Sequence, residues 1–98
     1  MESKLRRFSI DFVTDLEMAV DYYDGFSQAT SDKFRVEVQS KLDLVAAASE
    51  GFAIAHNNVR AVRLKKFPYV LLYRFFDQHV EFVGLVQGST ERKNWFDC

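Results

Sequence analysis

The apolar residues switch from a helical period to a strand period midway along this chain, and that switch constrains the fold more than any other feature. From about residue 15 to residue 49 they recur every three or four positions, as on one face of a helix. From Val59 onward they alternate or run together, as in strands. Leu16, Ala19, Val20, Tyr23 and Phe26 predict a first helix over about 15–25, with Gly25 as its stop. Thr14-Asp15-Leu16-Glu17 has the spacing of a capping box for it. Phe34, Val38, Leu42, Val45 and Ala48 predict a second helix, capped by Ser27 or Thr30 and ending near Ser49, before Gly51. Two amphipathic helices with a short link form an antiparallel hairpin.

Ahead of the helices, Phe8-Ser9-Ile10-Asp11-Phe12 alternates and predicts a short strand. Phe52 to Asn58 reads as a loop. Val59 to Lys66 alternates, with Val62 and Leu64 inward and Arg63 and Lys65 on the opposite face. Phe67-Pro68 breaks that strand, since proline donates nothing to a ladder. Tyr69 to Phe76 is apolar on both faces and reads as a central strand; Val80 to Val86 pairs with it through Asp77-Gln78. The order is β-α-α-β-β-β, class α+β: a helical hairpin packed on a small, mostly antiparallel sheet. Size and the absence of linkers make residues 1–98 a single domain. Phe12, Leu16, Tyr23, Phe34, Leu42, Leu64, Leu72 and Val83 are the expected core.

Composition excludes several kinds of chemistry. One cysteine, Cys98, rules out a disulfide framework and a thiolate metal site. His56 and His79 stand far apart and read as surface residues, so neither a metal nor a cofactor is expected. No glycine loop for phosphate and no nucleophile elbow occurs. Without an apolar leader or spanning run, the expected location is the cytoplasm, away from membranes.

The net charge of −1 conceals an asymmetry. Residues 1–58 carry a net −4 and residues 59–98 a net +3. The acids of the first helix (Asp15, Glu17, Asp21 and Asp24) read as a solvated face. Arg63, Lys65, Lys66, Arg92 and Lys93 make a positive patch if the sheet brings residues 88–94 beside residues 60–66. Such a patch suits phosphates or an acidic protein.

Three stretches, taken together, resemble a known family. They are Ala19-Val-Asp-Tyr-Tyr23, Val62-Arg-Leu-Lys-Lys-Phe-Pro-Tyr-Val-Leu-Leu-Tyr-Arg74, and Gly88-Ser-Thr-Glu-Arg-Lys-Asn-Trp95. In order and spacing the chain is similar, from about Phe8 to Trp95, to the RelE/ParE superfamily of type II toxin–antitoxin toxins. The resemblance implies a growth inhibitor that forms an oligomer with a cognate antitoxin and does not itself bind DNA sequence-specifically. RelE-like members cut mRNA on the ribosome; ParE-like members bind DNA gyrase.

Cleavage needs cations to hold a pentacovalent phosphate and a group to move a proton. Measured against the RelE-like pattern, Arg63 fills one basic position of the second strand and Ala61 stands at the other. Val70, Thr90 and Phe96 stand where two arginines and a tyrosine belong. The ParE-like branch fits better, though Gln87 replaces a histidine and Thr90-Glu91-Arg92 replaces Arg-Asp-Pro of many relatives. The implied role is gyrase inhibition by binding, with Arg63, Lys65, Lys66, Arg92, Lys93 and Trp95 as target contacts and no catalytic residue. The alternatives are an mRNA endonuclease and a non-toxic relative that acts only in an antitoxin complex and in operon repression.

Overall fold

The computed structural model describes residues 4–48, 52, 54–56 and 58–88. The elements are β1 (Leu5–Phe8), α1 (Ile10–Asp24), α2 (Gln28–Ala47), β2 (Ile54–His56), β3 (Val59–Arg63), β4 (Tyr69–Phe75) and β5 (His79–Gln87). The strands form one sheet in the order β1-β5-β4-β3-β2. Only the β1–β5 pairing is parallel among the described strands. The α+β class and the helical hairpin packed on a mostly antiparallel sheet are as expected.

The first strand and helix lie earlier than their local pattern suggests. Ile10 to Phe12 are helical, not extended. The Ser9 hydroxyl accepts the Phe12 N–H at 3.0 Å, so Ser9 caps α1 and Thr14 does not. Long-range pairing selects Ser9: its own N–H donates to the Phe82 carbonyl at 3.0 Å, ending β1 there. The apparent alternation comes from Phe8 and Phe12, which both pack on the Phe82 ring while Ile10 is 84% exposed. Gly25 ends α1 and Ser27 caps α2, as expected. The latter helix stops at Ala47, and Gly51 lies outside the described residues.

The expected loop at 52–58 contains the short edge strand β2. Asn58 turns it into β3 with φ 64°, a left-handed conformation that asparagine tolerates better than most side chains. At the other end of the sheet, Leu72 pairs with Gly84 but Tyr73 with Phe82, so Val83 is an extra residue in β5. This bulge changes the parity of the inward face from Val80 and Phe82 to Leu85.

The main core joins both helices to one sheet face: Phe12, Tyr23, Phe34, Val38, Leu42 and Val45 against Val62, Leu64, Leu71, Tyr73, Val80, Phe82 and Leu85. A second cluster (Val59, Val70 and Leu72, with Ala61, Val83 and Val86) lies on the face turned away from the helices. Thus β4 is buried on both sides, as its unbroken apolar run predicts. Six of the eight expected core residues are fully buried; Leu16 and Val83 are half-buried against the clusters.

Candidate surface around the β3–β4 loop

Of the basic residues expected to meet a target, Arg63, Lys65 and Lys66 fall at the end of β3 and in the loop that follows. Arg63 is the last residue of β3, pairs in register with Val70 and is exposed. The strand does not continue to Lys66; Lys65 and Lys66 are exposed loop residues. The alternating pattern runs past the strand because another contact organises the loop. The Glu37 carboxylate of α2 accepts the backbone N–H of Lys65 through one oxygen and that of Lys66, at 3.1 Å, through the other. Leu64 still donates to the Tyr69 carbonyl at 3.0 Å and Tyr69 to the Phe67 carbonyl at 2.8 Å. The loop is thus anchored by the hairpin behind it and by a helix carboxylate.

Gly88 donates to the Pro68 carbonyl at 3.0 Å, so the chain leaves β5 beside this loop. Arg63, Lys65, Lys66, Pro68 and Gly88 line a shallow depression of about 430 Å³. Arg92, Lys93 and Trp95 lie outside the described residues, as do Thr90 and Phe96.

The sheet face beyond this loop bears on what the surface can do chemically. Alternation places Arg63 on the same face as Val59 and Ala61, with Val70 directly across the ladder. Val70 is 1% exposed and lies in the second apolar cluster. Neither alanine nor valine can donate to a phosphate or move a proton.

Beneath the loop the hairpin end is aromatic. Tyr23 packs on Phe34 (ring centroids 5.0 Å apart) and edge-on to Phe67 (4.9 Å), and Phe34 packs on Tyr69 at 5.3 Å. Each such pair adds about 0.5–1.5 kcal/mol beyond the area it buries. Desolvation raises the Tyr23 and Tyr69 hydroxyls above the ordinary tyrosine range, with neighbouring tyrosines adding to the effect. Burial also pushes Tyr73 up to about 12, against a smaller lowering by Arg60. Phenols buried at the core end give the loop a packed aromatic base, and a phenol raised above its ordinary range is a poor proton donor near neutral pH.

The acids of α1 are not one solvated face. Asp15 is half-buried and accepts the Leu85 N–H at 3.1 Å. Glu17 and Asp21 are exposed but line, with Leu16, Val20, Arg35, Val38, Gln39 and Leu42, a groove of about 580 Å³ between the helices. Sequence spacing gave no sign of the roles of Asp15 and Glu37, because both bond to backbone far along the chain. Elsewhere, Arg6 bridges to Asp43 at 2.7 Å; that hydrogen bond, then one from Gln39, holds the Asp43 carboxyl below its usual range. His79 stacks on Phe76 at 4.5 Å. Among the described residues no group of three or more His, Cys, Asp or Glu is placed to hold a metal ion. No described helix is long and apolar enough to cross a membrane.

No protein-family model and no curated protein matches the chain. A solved structure does: the chain superposes on one from the "Chromosomal ParDE TA system from P. aeruginosa" with a TM-score of 0.76. The match covers 89% of this chain and 98% of that one, at 13% sequence identity. The two chains therefore share a fold, and it is the ParE/RelE-like fold that the three sequence stretches imply.

Proposed function

We propose that this chain is the toxin of a type II toxin–antitoxin pair, of the ParE-like kind, acting on DNA gyrase by binding and neutralised by a cognate antitoxin. The shared fold with a chain of a ParDE system carries the toxin assignment. The apolar sheet face carries the choice of binding over cleavage: Val70 stands opposite Arg63, where the ribonuclease pattern needs a second cation. In this reading Arg63, Lys65 and Lys66 meet the target on the anchored loop, joined by Arg92, Lys93 and Trp95. A basic rim with an aromatic anchor suits an interface better than a reaction centre. The groove between α1 and α2 is the antitoxin's seat, and the cytoplasm is where the pair acts.

A supercoiling assay with purified gyrase tests the target. The expected result is loss of supercoiling at excess of this protein, relieved by Lys65→Glu with Lys66→Glu. Normal supercoiling at large excess overturns the gyrase reading. Cleavage of ribosome-bound mRNA in a toe-printing assay would overturn action by binding alone.

A further inference from the structure

We propose that the groove between α2 and the β3–β4 loop docks an acidic protein segment that carries an aliphatic side chain. The groove has a volume of about 460 Å³ and brings two distant parts of the chain together. Lys33, Val36 and Lys41 come from α2; Lys65 and Lys66 come from the loop. The sequence gives no hint of this meeting, because Lys33 and Lys41 belong to the acidic half of the chain.

Charge fixes the sign of the occupant. Two carboxylates, Asp32 and Glu37, share the groove, and both have partners within the chain. Asp32 accepts from Gln28 at 2.8 Å, and Glu37 holds the loop amides. The four lysine ammonium groups have no ion pair or hydrogen bond among the described residues. A chain with a net charge of −1 thus presents a local excess of two positive charges on this surface.

The apolar component fixes the class. Val36 is 69% exposed on the helix between these lysines, although its neighbours Phe34 and Val38 are buried. A nucleic acid backbone has no use for an aliphatic contact, whereas Val36 lines this groove. A peptide supplies both parts: carboxylates for the lysines and an aliphatic group to cover Val36. This surface is separate from the α1–α2 groove, and the proposal stands whether or not the chain is a toxin.

The test is fluorescence anisotropy of the full chain with a fluorescein-labelled peptide of glutamates interrupted by leucines. Saturable binding is expected. Lys33→Glu combined with Lys66→Glu, both exposed positions, should weaken it by at least about tenfold. Arg7→Glu, on exposed β1, should leave it unchanged. Replacing the leucines of the peptide by serines should weaken binding several-fold. Thermal unfolding of each variant checks that the fold is intact. Absence of saturable binding, equal weakening by Arg7→Glu, or equal affinity of the serine peptide overturns the proposal. So does competition by a single-stranded oligonucleotide at equal charge concentration.

Discussion

The carboxylate of Asp15 accepts the backbone N–H of Leu85 at 3.1 Å, closing a gap that the fold itself opens. β1 pairs with β5 only as far as Phe8 opposite Phe82, after which the chain turns into α1. The next stretch of β5 is left without a neighbouring strand on that side. Asp15, one turn into the helix, supplies the missing acceptor for Leu85, a residue only 3% exposed. Asp15→Ala should therefore cost about 1–3 kcal/mol in chemical denaturation, the price of an unmet buried donor. Asp15→Asn, which keeps an acceptor oxygen, should cost clearly less. Equal losses for the two would mean that the bond contributes nothing.

Asp15 also illustrates what could and could not be read from the chain. The helical stripes and the two-sided burial of β4 were legible, because many residues repeat the same signal in a short window. Single side chains bonding to distant backbone leave no periodic trace. The local pattern offers Thr14 as the cap, and only the long-range pairing of Ser9 with Phe82 puts the cap at Ser9. β2 was missed because three residues at a sheet edge are too few to show alternation. At the candidate surface the basic residue types were legible, but the joining of Lys33 and Lys41 to Lys65 and Lys66 depends on tertiary packing.

Glu37 holds the loop as Asp15 holds the strand. Its two oxygens serve two consecutive amides, so removing the carboxylate releases both. These amides are exposed, and water replaces the lost acceptor. Glu37→Ala should lower stability by only about 1 kcal/mol. Its larger effect should be local: hydrogen exchange at the Lys65 and Lys66 amides should accelerate while that at Leu71 and Tyr73 stays slow. Unchanged exchange at both loop amides would show that the hairpin alone orders the loop.

The buried tyrosines predict a limit to alkaline stability. Tyr73 is fully buried, and its folded-state pKa of about 12 exceeds the unfolded value of 10.0. Above pH 10 the unfolded chain loses the Tyr73 proton while the folded chain keeps it. Stability from this group is therefore fully present below about pH 10 and is lost as pH rises through about 12. Tyr23 and Tyr69 shift in the same direction and add to the slope. Urea midpoints should be level approaching pH 10 and fall beyond it. An ultraviolet titration of the folded protein should leave at least one tyrosine neutral until about pH 12. Complete tyrosine ionisation near pH 10 without unfolding would contradict the burial.

The apolar cluster on the far face of the sheet is the feature on which the proposed choice of binding over cleavage rests. Leu72 is 6% exposed there, beside Val59 and Val70. Leu72→Asp removes packing worth about 2–5 kcal/mol in comparable Leu→Ala changes and buries a carboxylate beside the aliphatic side chains of Val59 and Val70. The variant should not unfold cooperatively at the wild-type temperature. Arg74→Asp, two residues along the same strand and exposed, should keep the wild-type transition within a few degrees. A cooperative wild-type transition in Leu72→Asp would mean that this face accommodates charge. Val70 would then no longer disfavour a phosphate-binding surface there.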